Sequence, residues 1–237
     1  MTWSIVARDA SGSLGVAIAS RFFAVGALCP YVRANVGALA TQALCNPLYA
    51  SPALDAMSRG DDPASIVAAL TAADDGRDHR QIHMIDARSR IGAYTGPSCV
   101  VWCGQSSGAG FSVAGNMLAG PAVLSATAAA YEAAASRPFA LRLIAALVAG
   151  QAAGGDKRGK QAAAVLIATT EDYPALDLRV DDHPEPIAEL ERLYEKSGER
   201  LRPFVACLPS RHRPAGIVDR TVIEAEIERF RAARDER

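Results

Sequence analysis

The chain has 237 residues, half of them hydrophobic, and carries a net charge of −1. A balance so close to neutral sets up no long-range field toward nucleic acid or an anionic membrane, which argues against both as partners. The five cysteines are odd in number and irregularly spaced, so no disulfide framework is expected, and Gly or Pro interrupts every uncharged stretch long enough to cross a bilayer.

A hairpin opens the chain. Residues 3–8 and 13–19 are strand-like, and Asp9-Ala10-Ser11-Gly12 supplies a turn between them. A third strand is expected near 35–42 and a helix over 63–73, with Asp62 as N-cap and Pro63 at its first position. Strands follow at 81–86, 90–95, 98–103 and 111–115, then two Ala/Leu-rich helices at about 121–135 and 138–149. Strands at 162–169 and 176–180 precede a helix over 185–195. This order of strands, helices and strands indicates α+β layers rather than an alternating parallel sheet. The first domain is expected to span 1–196. The charged tail, 197–237, carries Val222, Ile223, Ile227 and Phe230 on one helical face, which suits docking on its own domain or a homodimer or higher homo-oligomer contact. No basic lead precedes Arg8 and Asp9, so a cytoplasmic location is expected.

Several motifs suggest chemistry and then lose it in context. Residues 154–161 nearly spell a phosphate-binding loop, but Gln161 stands where a magnesium-binding hydroxyl is needed, and the order is helix, loop, strand. Gly104-Gln105-Ser106-Ser107-Gly108 fits a nucleophile elbow, with Asp182 and His183 following as triad partners; yet a strand, not a helix, is expected after it. A serine hydrolase using Ser106 is the second alternative. His79 and His83 are four apart, but strand residues at that spacing lie about 13 Å from each other. No motif asks for a metal or another cofactor, and none is expected.

Arg21 and Arg33 sit in apolar sequence with no acid nearby, so each needs a distant acid, backbone carbonyls or a ligand carboxylate. Thr2 becomes a nucleophile with its own base if Met1 is removed. The freed α-amine has an ordinary pKa of about 7.7–8.0 and can take the hydroxyl proton near neutrality.

Residues 2–9 (TWSIVARD), 19–26 (ASRFFAVG), 40–43 (ATQA), 115–120 (GNMLAG) and 153–159 (AGGDKRG) together resemble a bacterial domain-of-unknown-function family, number ten-twenty-eight, assigned to the N-terminal nucleophile (Ntn) hydrolases. The likeness covers about 2–195. It implies a four-layer αββα sandwich of two antiparallel sheets flanked by helices, and an amidohydrolase acting on a small amide. Ala19-Ser20-Arg21 is similar to the Asp-Ser-Arg stretch of catalytic proteasome subunits, and Arg33 lies near where those subunits place a lysine. The expected catalytic set is Thr2, Arg33 and Asn116; Arg21, Asn46, Gln42 and Asp156 are expected to line the substrate site. Ala50, Ala114 and Ala162 depart from the family's usual Gly, Gln and Ser. The alternative is a non-catalytic binding or assembly protein on the same fold.

Overall fold

The computed structural model describes residues 2–235, with side chains through residue 233. Met1, whose removal the Thr2 chemistry requires, lies outside the described residues, as do residues 236 and 237. Contacts divide the chain into two compact units, residues 1–190 and 191–237.

The hairpin forms with β1 at Thr2–Arg8 and β2 at Leu14–Ser20. Its turn is made by Asp9, whose carboxylate accepts from Ser11 Oγ and from the Ser13 amide. These strands are buried on both faces, which is why they read as near-continuous apolar runs. With β7 (Gly104–Gly108), β8 (Phe111–Asn116), β9 (Ala162–Ala168) and β10 (Leu176–Val180) they build a six-stranded antiparallel sheet in the order β10-β9-β2-β1-β8-β7. The second sheet is also antiparallel, in the order β3-β4-β5-β6, from Pro30–Arg33, Gly37–Ala43, Arg80–Asp86 and Ile91–Thr95.

The strand expected near 35–42 forms as β4, and an unexpected short edge strand, β3, precedes it; Pro30 opens that strand where its missing N–H costs no ladder bond. The apolar run 98–103 is a loop. Its Val100 and Trp102 carbonyls accept from Met117 and Leu118 rather than from a strand partner.

Helices α1 (Ala50–Ser58) and α2 (Pro63–Ala72) pack on the four-stranded sheet, and α3 (Ala122–Ala133) and α4 (Phe139–Ala152) on the six-stranded one. The Asp62 carboxylate caps α2 by accepting from the amides of Ala64 and Ser65. Between the sheets, Val6, Leu14 and Val16 meet Ala38, Ala40 and Ile85. Three further helices follow: α5 (Pro186–Ser197), α6 (Leu201–Val205) and α7 (Arg220–Asp235). Within the 191–237 unit, Arg202 stacks over the rings of Tyr194 and Phe230, and Ile227 is buried.

Gly92 sets how closely α2 approaches β6. A Cβ there would stand 2.2 Å from the carbonyl oxygen of Pro63, which is backbone and cannot swing aside. Gly92→Ala is therefore expected to cost about 3 kcal/mol in urea unfolding, near the top of the range for overpacking. A loss below about 0.5 kcal/mol would show that the helix shifts freely.

Candidate active site

Thr2 begins β1, between β2 and β8 near the middle of the six-stranded sheet. Register places it opposite Ser20 on one side and Asn116 on the other. Pairing on both sides orders a residue that an unpaired terminus would leave to fray. Its side chain is buried, and Oγ1 donates to Ser20 Oγ at 3.1 Å; the same Ser20 oxygen accepts from the Phe22 amide at 3.0 Å. Asn116 Nδ2 makes a long 3.5 Å contact to the Thr2 carbonyl.

Asn116 also joins Thr2 to a polar network between the sheets. Its Nδ2 donates to Gln81 Oε1 at 3.0 Å, which accepts from Gln42 Nε2 at 2.7 Å as well. Gln42 Oε1 accepts from Ser4 Oγ at 2.7 Å, and Ser4 Oγ meets His83 Nε2 at 2.8 Å. His83 Nδ1 closes the chain on Ser112 Oγ at 3.1 Å. Burial pushes His83 down from 6.5 to about 3, so its ring is neutral near pH 7. The alternation of β1 puts Thr2 and Ser4 on the same face, toward the second sheet.

Gln81 is the hub: its amide nitrogen reaches Thr95 Oγ1 and the carbonyls of Gly104 and Gly115 at 2.9–3.0 Å. Gln81→Met keeps the volume but strands several of these buried groups at about 1–3 kcal/mol each. The expected loss is about 3–5 kcal/mol in urea unfolding. A near-neutral result would show that the neighbours find new partners.

The loop after α4 closes the same end. Both Asp156 carboxylate oxygens are occupied: one accepts from the Arg21 amide and the Arg158 guanidinium, the other from the Arg158 amide. The Gln161 amide donates to the Ser20 carbonyl. Asp156 thus anchors the loop against the end of β2 rather than presenting free acceptors to a ligand. The phosphate-loop resemblance ends in β9, with no helix N-terminus after it to cradle an anion. Arg21 is exposed at this rim, where its guanidinium donates to the Lys160 carbonyl at 3.2 Å.

Three expected residues stand in other roles. Arg33 is not gathered with Thr2. It pairs with Gly37, and Gly37 with Asp86, at the opposite end of the second sheet from Gln42 and Gln81; its guanidinium holds Asp55 at 2.8 Å. Asn46 caps a short 3-10 turn by accepting from the Leu48 amide, and its nitrogen donates to Asp74. Gln42 lies inside the network, 1% exposed, with both ends of its amide engaged. The Ser106 triad fails on topology. Ser106 lies in β7 at one edge of the six-stranded sheet, while Asp182 and His183 follow β10 at the other edge, roughly 24 Å away at ordinary strand spacing. Among the described residues, no group of three or more His, Cys, Asp or Glu could hold a metal ion. Among the same described residues, no helix is long and apolar enough to cross a membrane.

A cavity of about 200 Å³ opens beside Asn116, lined by Ala43, Leu44, His79, Ser98, Cys99, Val100 and Met117. Sequence reading missed Ser20, Gln81 and Ser4 as parts of this site. The alternation of Ser4 with apolar neighbours in a strand otherwise buried on both faces was the available signal for one of them.

The family of unknown function DUF1028 matches residues 2–190. The chain belongs to this family. The crystal structure of protein SPO2555 from Silicibacter pomeroyi, described with the same family, shares 32% identity and a TM-score of 0.85, over 92% of this chain and 96% of that one. Anbu (ancestral beta-subunit) from Yersinia bercovieri aligns over 88% of this chain and 98% of its own, with 14% identity and a TM-score of 0.37. No curated protein matches the chain in sequence.

Proposed function

We propose that this DUF1028 protein is an amidohydrolase of the N-terminal-nucleophile type, with Thr2 as nucleophile once nothing precedes it. The observation that carries the reading is Thr2 itself: a hydroxyl on the first residue of a central strand, fixed through Ser20, with Asn116 joining it to a cavity. Helices packed on the outer side of each of two antiparallel sheets support the four-layer αββα arrangement that such chemistry uses.

In this reading Thr2 Oγ1 attacks the amide carbonyl. The Thr2 α-amine takes the hydroxyl proton and passes it to the amine that departs as the C–N bond breaks. Water, deprotonated by the same α-amine, then cleaves the acyl–Thr2 ester; the acid leaves and the proton returns to Oγ1. Asn116 Nδ2, now spent on Gln81 and the Thr2 carbonyl, turns with nearby backbone N–H groups toward the oxyanion. Ser20 is a positioning residue that orients the Thr2 hydroxyl. Arg21, at the rim with one nitrogen anchored, offers its remaining donors to a substrate carboxylate, so a small carboxylate-bearing amide is the substrate class. Arg33 and Asn46 have no part in the reaction, and Asp156 and Gln42 build the walls.

The test is the N-terminus of active protein. Fractions that hydrolyse a panel of small acylated amines carrying carboxylates are examined by intact mass and N-terminal sequencing. The active chain is expected to begin at Thr2. Full activity in a chain that keeps a residue before Thr2 overturns the mechanism and favours a binding role for the fold.

A further inference from the structure

Two cysteines outside this chemistry are brought together by the path of β4. The Cys29 carbonyl accepts from the Thr41 amide, which docks Cys29 against the strand. Ala43 then turns left-handed at φ 68°, and the Asn46 amide donates back to Thr41 Oγ1, so the chain returns on itself. That return packs Cys45 against the buried cluster that contains Cys29. Cys29 is buried among Ile18, Val25, Ala162 and Ala164, whereas Cys45 is half-buried on top of that cluster. All five cysteines are free.

We propose that Cys45 and Cys29 form an oxidant-sensing thiol pair, in which Cys45 reacts with a hydroperoxide at the surface and Cys29 beneath it closes a disulfide. The proposal does not depend on the Thr2 chemistry.

The surroundings divide the roles. Cys29 is the largest influence on Cys45 and holds its thiol below the usual range, while Cys45 and burial together keep the proton on Cys29. Arg80 adds a positive charge; its guanidinium is fixed by Asp74 and by the Leu44 carbonyl, one residue from Cys45. Tyr31 nearby is pushed up by burial and by the two cysteines, so it stays neutral. Burial pushes Cys99 and Cys103 up instead, and the Cys103 thiol donates to the Cys99 carbonyl rather than to its sulfur.

The chemistry balances with one peroxide per pair. The Cys45 thiolate attacks a peroxide oxygen: an S–O bond forms, the O–O bond breaks, and hydroxide leaves to take up the proton Cys45 had released. The Cys29 sulfur then attacks the Cys45 sulfenic sulfur; the S–S bond forms, the S–O bond breaks, and the departing hydroxide takes the Cys29 proton. Two waters leave, and both sulfurs are oxidised while the peroxide is reduced.

The test treats the reduced, full-length protein with hydrogen peroxide, alkylates it and maps tryptic peptides. The expected result is a mass loss of two hydrogens and a link between peptides 22–33 and 34–59, with Cys103 and Cys207 still alkylated. In Cys29→Ala, Cys45 is expected to stop at the sulfenic acid and be captured by dimedone. Its alkylation at about pH 6.5 should also slow by about tenfold as loss of the Cys29 thiol lets that of Cys45 rise. Cys45 recovered reduced as fully as Cys103, Cys45 oxidised to sulfinic acid in the unaltered protein without any link, or a disulfide between Cys99 and Cys103 instead would overturn the proposal.

Discussion

Replacing Thr2 with Ala is expected to lower amide turnover by about 10⁴-fold or more, the scale seen when an enzyme loses its nucleophile. The α-amine remains but has no hydroxyl to activate. Stability should change little, because only the hydrogen bond to Ser20 is lost, at about 1 kcal/mol. Thr2→Ser keeps both the hydroxyl and the amine, and is expected to retain measurable turnover. Losing the β-branch frees the serine rotamer, so a lower kcat with a similar KM is the expected pattern. The comparison separates chemistry from folding. A Thr2→Ala protein that melts like the parent but turns over at the parental rate would remove Thr2 from the mechanism.

The second large effect is on stability against pH. His83 is buried and neutral, with its pKa at about 3 against an ordinary 6.5. In the unfolded chain the imidazole takes a proton as pH falls below about 6.5, while the folded protein does not. The unfolded state therefore binds more protons in this window, and stability is lost on acidification. The slope is about 1.4 kcal/mol per pH unit, fully developed below the unfolded pKa and continuing until pH reaches the folded value near 3. The interval from about pH 6 down to about pH 4.5 isolates the effect, because carboxylates begin to add their own contribution below it. Urea unfolding across that interval should show the slope in the parent and lose it in His83→Gln. A parental slope unchanged in His83→Gln would mean that another group carries it.

Much of the fold was legible because local chemistry and global position agree. The hairpin turn at Asp9, the Asp62 cap before Pro63, the apolar run at 162–169 and the apolar–polar alternation of 176–180 each state their role within a few residues. Where sequence reading failed, the deciding partner was remote. Residues 98–103 have the composition of a strand, but their carbonyls are claimed by residues 117 and 118 across the chain. No helix was expected over α1, although Pro52 in its first turn is well suited to that position.

The site divides the same way. Thr2 and Asn116 face each other because β1 and β8 pair, and the flanking sequence motifs carried both. Arg33 misled for a physical reason. Isolation from acids in sequence demanded a partner, and Asp55 supplied it on α1, which sequence reading had not found. Gln81 and His83 were invisible as a network, since nothing local reveals that Ser4, Gln42 and Ser112 converge on them from three other strands.

The most direct measurement of the central claim is covalent capture. A β-lactone or a comparable acylating electrophile is incubated with protein whose chain begins at Thr2, and the adduct is located by peptide mapping. The account predicts one acyl group per chain on Thr2 Oγ1, absent in Thr2→Ala, with Ser106 unmodified after brief exposure. An adduct on Ser106 or on a cysteine with Thr2 left free would contradict it.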